Sequence, residues 1–219
     1  MRKAGPTTMP SPTIDELTIA DQPERWRELG FTVADGFCRL AGVRLRLAGT
    51  DAGRGIVAWS LRDLASTELD GLPTSRSERP HDPAERLVTH ANGVLAIDHV
   101  VAVSPSLDRS VLALQAAGLD LRRVREQPTP AGAPRQAFFR LGAEILELVQ
   151  EPENVATRAG GADRPAFFWG LAMRTQELER TVERLGTNVG AIRPAVQPGR
   201  RIATLRRSAG LAVPVALMS

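Results

Sequence analysis

Two side chains that could carry chemistry lie in segments that are otherwise apolar and strand-like. His99 lies in AIDHVVAV (residues 96–103), and Glu147 lies in EILELVQ (residues 144–150). Strand parity places apolar residues on the same face as each of them: Ile97, Val101 and Val103 beside His99, and Ile145 and Val149 beside Glu147. Burying an imidazole or a carboxylate alone costs several kcal/mol. The pattern therefore predicts that the two groups lie close together, either hydrogen-bonded to each other or around a bound divalent ion.

Three aromatic residues follow one another in a second strand-like segment, AFFWGLAM (residues 166–173). Phe167 and Trp169 are candidate ligand-binding residues, because aromatic side chains line many pockets for apolar molecules. The alternative is that this cluster belongs to the hydrophobic core.

Several other kinds of site are not indicated by the sequence. It contains no phosphate-binding P-loop, no dinucleotide-binding glycine motif and no nucleophile elbow. The single cysteine, Cys38, cannot form an internal disulfide and has no cysteine partner for a structural zinc site. We expect it to be an unreactive strand residue.

Composition sets the broad class of the protein. The chain has 219 residues with a net charge of +3, and acidic and basic residues alternate along most of it, which does not favour nucleic-acid binding. No apolar run approaches the roughly 20 residues that span a bilayer. The first residues, MRKAGPTTMPSPT, also lack the apolar centre of a secretion signal. The sequence thus predicts a cytoplasmic protein that does not bind membranes.

An internal repeat organises the chain. The segments LDRSV (residues 107–111) and LERTV (residues 178–182) each begin a short amphipathic helix with one apolar stripe. A strand precedes each helix, and three extended segments follow it. The predicted strands of the first copy are residues 96–103, 119–126, 135–141 and 144–150, and those of the second are 166–173, 188–196, 201–206 and 211–218. Each copy therefore predicts a β-α-β-β-β module.

A shorter third copy lies at the front of the chain. Its IDEL (residues 14–17) resembles IDHV (residues 97–100), and its FCRLAGVRLRL (residues 37–47) parallels FFRLGAEILEL (residues 138–148). An additional strand is predicted at residues 55–61. The predicted organisation is a disordered tail (1–13), an abridged module (14–64), a surface linker (65–95), a middle module (96–150), a second linker (151–165) and a C-terminal module (166–219).

These modules predict an α+β fold. A helix between one strand and three others suits a mixed four-stranded sheet with the helix on its outer face. Two such tandem sheets side by side would form a cup. Because three modules cannot all pair internally, an unpaired one could associate with a second chain, so a homodimer is also conceivable.

The strand AIDHVVAV, the later EILELV and the duplicated module resemble the vicinal oxygen chelate superfamily, which includes glyoxalase I, extradiol dioxygenases and bleomycin-binding proteins. The resemblance implies a divalent metal (Mn, Fe, Ni or Zn) in the cup. In this superfamily the ligands are a His or Glu on the first strand and a Glu on the fourth strand of paired modules. His99 and Glu147 match those positions in the middle module.

The other two copies match this ligand pattern less well. The last copy has Trp169 or Gly170 at the first-strand position, and its final strand has no carboxylate. Glu16 aligns with His99, so the resemblance implies a site of Glu16, His99 and Glu147 if the first two modules pair, with Glu16 as ligand or catalytic base. Arg46 stands near the position of Glu147 in the front copy, where a cation opposes metal binding but could hold an anionic substrate.

Two functions follow as expectations from the resemblance. One is a small-molecule-binding protein that acts as a metal-dependent lyase, isomerase or oxygenase. The other is a non-catalytic protein that sequesters a small molecule in the same cup and keeps a degenerate metal site. The missing ligands of the last module favour the second.

Overall fold

The computed structural model describes residues 11–80, 88–129 and 132–219, which form two mixed β-sheets with short helices. This α+β arrangement confirms the predicted fold class. Most of the predicted N-terminal tail lies outside the described residues. No helix in the described ranges is long and apolar enough to cross a membrane.

The first sheet is built from the front of the chain. Its elements are β1 (Thr13–Ile19), α1 (Pro23–Glu28), β2 (Val33–Ala34), β3 (Phe37–Leu40), β4 (Val43–Leu47), β5 (Ile56–Arg62) and β6 (Thr74–Arg76). The strand order is β2-β3-β4-β1-β5-β6, with β1 parallel to β4. Cys38 is fully buried in β3, and this burial raises the pKa of its thiol to about 12, so the thiol stays protonated and unreactive.

The second sheet joins the middle and C-terminal modules. Its elements are β7 (Val94–Ser104), α2 (Leu107–Ala116), β8 (Asp120–Arg125), β9 (Gln136–Leu141), β10 (Glu144–Gln150), α3 (Glu153–Arg158), β11 (Phe167–Thr175), α4 (Leu178–Leu185), β12 (Arg193–Pro194), β13 (Arg201–Thr204) and β14 (Val215–Met218). The strand order is β12-β13-β14-β11-β7-β10-β9-β8. The first strands of the two modules, β7 and β11, pair antiparallel at the centre, and each is parallel to the last strand of its own module.

The front sheet repeats part of this plan. Strand β5 is antiparallel to β1 and parallel to β6, which is how β11 relates to β7 and to β14. Strands β5 and β6 therefore occupy the places of the first and last strands of a partner module. The front module is paired within its own sheet, so the first two modules do not pair with each other, and the condition for a shared site of Glu16, His99 and Glu147 is not met.

The helices cover one face of the second sheet. Helix α2 packs on β8, β9 and β10 through buried Leu107 and Leu114, and α4 packs against β13 through Leu178 and Leu185. These four leucines belong to the predicted stripes. The helices leave the other sheet face for a cavity, which is lined by strands of both modules.

A β-bulge interrupts the first strand of each of the three modules. An extra residue lies between successive register pairs at Asp15 in β1, at Asp98 in β7 and at Trp169 in β11, and β7 has a second one at Leu95. A bulge bends the strand and changes the face to which the neighbouring side chains point. As a result Ile97 is buried in the core while Asp98 and His99 both line the cavity, so the predicted shared face of Ile97 and His99 is wrong.

The connection between the two sheets is more than a surface linker in its described part. It contributes β6, and Leu69 and Leu72 are buried in the core. Asp70 binds Arg109 of α2, with 2.7 Å between the Arg109 Nε and Asp70 Oδ1 atoms. The segment packs because its leucines can bury apolar surface, although Ser, Pro and charged residues dominate its composition.

Candidate ligand-binding site

A cavity of about 650 Å³ lies between the middle and C-terminal modules. Strands β7 to β10 supply one wall, and the segment around β12, together with β13 and β14, supplies the other. The lining residues are Asp98, His99, Arg123, Arg125, Gln127, Gln136, Phe138, Ile145, Glu147, Ala195, Val196, Gln197, Pro198, Ile202 and Met218.

His99 and Glu147 meet in this cavity. Parallel pairing of β7 with β10 sets His99 beside Ile145 and Val101 beside Glu147. The His99 Nε2 and Glu147 Oε2 atoms are 3.2 Å apart, and both side chains are mostly buried. The predicted proximity of the two groups is therefore observed.

A second carboxylate, which the sequence did not reveal, holds the other side of the imidazole. The His99 Nδ1 atom lies 2.9 Å from Asp98 Oδ2. Arg200, from the C-terminal module, donates two hydrogen bonds to Asp98, at 2.7 Å to Oδ1 and 3.1 Å to Oδ2. The bulge in β7 makes this contact possible, because in a regular strand consecutive side chains point to opposite faces.

The protonation of Asp98 follows from these contacts. Burial by itself would raise the pKa of Asp98, but hydrogen bonds from His99 and Arg200 and the charge of Arg200 outweigh it. They hold the pKa well below the ordinary range. Asp98 is a carboxylate at neutral pH and orients His99 with a proton on Nδ1.

Glu147 shows the opposite shift. Burial raises its pKa above the ordinary value, and the attraction of His99 and a hydrogen bond from Gln136 Nε2 offset only part of this effect. The His99 Nε2 and Glu147 Oε2 atoms, 3.2 Å apart, form a close polar pair that faces the cavity. The pair can accept or donate one proton toward a ligand in the cavity.

The donor set does not fit a resident metal ion. His99 and Glu147 supply two donors, and Asp98 is already bound by Arg200. Within residues 11–80, 88–129 and 132–219, no group of three or more His, Cys, Asp or Glu side chains is arranged to hold a metal. Metal sites of proteins commonly use three or four protein ligands.

The C-terminal module shows why further ligands are missing. Gly170 lies five residues before the end of β11, as His99 lies five before the end of β7. The pairing of Ala172 with Ala216 then corresponds to the pairing of Val101 with Glu147. Gly170 and Ala216 therefore stand at the two ligand positions. A Cβ at Gly170 would lie 2.7 Å from the Pro214 carbonyl oxygen, so no larger side chain fits there.

Glu16 and Arg46 lie in the other sheet, so the predicted site of Glu16, His99 and Glu147 is not formed. Glu16 aligns with Arg44 in the β1–β4 register and accepts hydrogen bonds from it, with 3.1 Å between Arg44 Nε and Glu16 Oε2. Arg46 is exposed on β4 and does not line the cavity. The separation has a topological cause, because the middle module pairs with the last one and not with the front one.

Phe167 and Trp169 are also absent from the cavity lining. They are 39% and 53% exposed near the start of β11, so neither is a core residue, and neither lines this cavity. Their neighbour Phe168 packs edge-on against Trp59 of the front sheet, with 5.1 Å between ring centroids.

Known structures share this fold, although comparisons of sequence find no match. No protein-family model matches the sequence, and no curated protein shows significant similarity to it. A xylose isomerase-like TIM barrel/4-hydroxyphenylpyruvate dioxygenase fusion protein superimposes on 98% of this chain, with a TM-score of 0.61 and 14% identity, and the match covers 51% of the fusion protein. Methylmalonyl-CoA epimerase from Mycobacterium tuberculosis aligns with 61% of this chain and 93% of its own, with a TM-score of 0.48 and 19% identity.

The two sheets and the superposition define an α+β protein built from paired β-α-β-β-β modules. The protein has the fold of the vicinal oxygen chelate superfamily, as the sequence resemblance indicated. This chain spans about half the length of the fusion protein that it matches.

Proposed function

We propose that the protein binds a small organic molecule in the cavity of the eight-stranded sheet without a resident metal ion. The observation that carries the proposal is a cavity of about 650 Å³ in which only one module supplies possible metal ligands. In the other module, Gly170 and Ala216 occupy the positions that correspond to His99 and Glu147. Cavities of roughly 300–1,000 Å³ are typical of small-molecule sites. Of the two functions expected from the sequence, the sequestering protein fits this geometry better than the metal-dependent enzyme.

The cavity lining supports this choice. Phe138, Ile145, Ile202 and Met218 offer apolar surface to a ligand. The pair of His99 and Glu147 adds a polar group that can orient it. Such sites combine a mostly apolar lining with a few polar groups.

A neutral fluorescent probe tests the binding proposal. We expect N-phenyl-1-naphthylamine to bind the wild-type protein with enhanced fluorescence. The variant Ile145→Trp fills part of the cavity and should weaken this binding about tenfold or more, since overpacked apolar sites lose their ligands. Leu112→Trp is the matched control, because Leu112 is exposed on α2 and is not part of the lining. Equal binding by both variants, or no binding by the wild type, contradicts the proposal.

Should Ile145→Trp unfold, Phe138→Ala provides a second variant, because it removes an aromatic wall without adding bulk. Metal analysis of the purified protein supplies an independent outcome. Stoichiometric Mn, Fe, Ni or Zn that disappears in His99→Ala would contradict the metal-free site and support a metal-dependent lyase, isomerase or oxygenase.

A further inference from the structure

The cavity has one cationic wall. Arg123 and Arg125 of β8 both line it. In the β8–β9 register Arg123 lies opposite Phe138 and Arg125 lies opposite Gln136. The next register sets Phe138 opposite Glu147. Arg123, Phe138 and Glu147 therefore form a row across three neighbouring strands.

The charge partners of these two arginines differ from those of several arginines near them. Neither guanidinium group forms a hydrogen bond or a close ion pair with a described residue, although the charge of Arg125 attracts the Glu147 carboxylate across the cavity. By contrast, Arg122 binds Asp120 at 3.1 Å, and Arg135 binds Glu126 at 2.7 Å. Arg200, near the opposite wall, is already engaged by Asp98. Within the described lining, Arg123 and Arg125 thus keep their guanidinium groups available to a ligand.

The row also sets the length of a ligand that would fill it. Strands are about 4.8 Å apart, so the backbones at Arg123 and Glu147 are separated by about 10 Å. Apolar surface from Phe138 lies between them, and Ile145 lies beside Glu147 on β10. A molecule that spans the row meets a cation at one end, an aromatic ring in the middle and the pair of His99 and Glu147 at the other end.

We propose that the ligand is an amphipathic organic anion, with its acidic group bound by Arg123 and Arg125 and its apolar part against Phe138 and Ile145. This inference rests on the proposed function. Guanidinium groups bind carboxylate and phosphate oxygens through two parallel hydrogen bonds, a geometry that a neutral group does not match. The far end of the anion contacts His99 and Glu147.

A matched pair of probes tests the charge requirement. 4-Phenylbutyrate and 4-phenyl-1-butanol share one ring and one chain length but differ in charge. In calorimetric titrations we expect the wild-type protein to bind the acid at least about tenfold more tightly than the alcohol. The double variant Arg123→Gln/Arg125→Gln should lose that preference and keep the affinity for the alcohol. Arg122→Gln is the control on the same strand, since Arg122 is exposed and does not line the cavity.

The outcomes separate this inference from the proposed function. If the protein binds N-phenyl-1-naphthylamine in the cavity but binds the acid no better than the alcohol, the anion inference is overturned and the binding function stands. Loss of acid binding in Arg122→Gln as large as in the double variant also overturns it. If the cavity-filling variant leaves the binding of every probe unchanged, the binding function itself fails.

Discussion

At the scale of single residues, a series of hydrogen bonds and one ion-pair contact runs through the cavity from one module to the other. Arg200 donates to Asp98, Asp98 accepts from His99, His99 Nε2 lies 3.2 Å from Glu147 Oε2, and Glu147 accepts from Gln136. The contacts link five polar side chains across the cavity, and of their buried side-chain N and O atoms only Gln136 Oε1 has no hydrogen-bond partner within the described residues. These contacts also connect the last module to the middle one, because Arg200 and Asp98 belong to different modules.

The first prediction concerns Asp98, the carboxylate that lies between Arg200 and His99. Asp98→Asn should lower the free energy of unfolding by about 1–3 kcal/mol at pH 7, because Arg200 would be left without a charge partner in a half-buried site. Since the pKa of Asp98 is lowered in the folded protein, its contribution is present above pH 4 and is lost as the pH falls below it. Urea denaturation of both proteins at pH 7 and at lower pH measures this difference.

Asp120→Asn serves as the control for this prediction, because Asp120 forms an exposed ion pair with Arg122. Exposed pairs contribute little, so its unfolding free energy should stay close to that of the wild type. If Asp98→Asn lowers the free energy of unfolding by the same amount at every pH, the loss comes from side-chain shape and not from charge.

The sequence predicted part of this site for a physical reason. His99 and Glu147 interrupt apolar rows on two segments that pair directly, so a local pattern was enough to bring them together. Asp98 was missed, because one extra residue in a strand leaves no trace in the alternation of residue types. Arg200 was missed because 102 residues separate it from Asp98, and only the pairing of the two modules brings them together.

At the scale of the elements, all three modules have a β-bulge in their first strand. Asp15, Asp98 and Trp169 occupy the bulges, and the residue that follows each one is Glu16, His99 or Gly170. The front module satisfies Glu16 with Arg44, and the middle module satisfies His99 with two carboxylates. The last module has only a glycine there, because Pro214 approaches the backbone.

That close approach gives the second prediction. Gly170→Ala should destabilise the protein by about 1–3 kcal/mol, since its Cβ would lie 2.7 Å from the Pro214 carbonyl oxygen and would push β14 away from β11. Gly190→Ala is the matched control, because its nearest contact, the Thr204 carbonyl oxygen, is at an ordinary 3.4 Å. Chemical denaturation compares the two variants, and an equal loss of unfolding free energy in both would show that the close approach of Pro214 does not restrict position 170.

Element positions were predicted well where the repeat was strong. The predicted last strand of the middle module, residues 144–150, coincides with β10, and the predicted first strands differ from β7 and β11 by one or two residues at each end. The C-terminal strands were overpredicted. Residues 188–196 form only the short β12, because arginine, proline and glycine around it offer little apolar surface to bury.

At the scale of the whole molecule, the two sheets are joined by specific contacts. Asp70 of the connection accepts hydrogen bonds from Arg109 and Ser110 of α2, and Asn92 donates from its side chain to the Leu29 carbonyl oxygen in the front module. His90 lies between Thr32 and Arg39 of that module. These bonds make the connection a structural part of the fold, so we expect the two sheets to unfold together.

The third prediction uses His90 to test the contacts that connect the two sheets. Its Nδ1 atom accepts a hydrogen bond from the Thr32 backbone N–H at 3.0 Å, and its Nε2–H donates to the Arg39 carbonyl oxygen at 3.0 Å. Both bonds require the neutral imidazole. Burial lowers the pKa of His90, and the bond to Arg39 reverses only part of this effect. The unfolded chain therefore takes up a proton at a higher pH than the folded protein does.

It follows that stability is complete above about pH 6.5 and declines as the pH falls below that value, because protonation then favours the unfolded state. His90→Gln keeps one donor and one acceptor without a charge that titrates, so its unfolding free energy should fall less between pH 7 and pH 5 than that of the wild type. Thermal unfolding at the two pH values measures both slopes, and a single transition is expected at each. Identical slopes would mean that protonation of His90 does not weaken the contacts that connect the two sheets, and two separate transitions would mean that the sheets are not coupled through them.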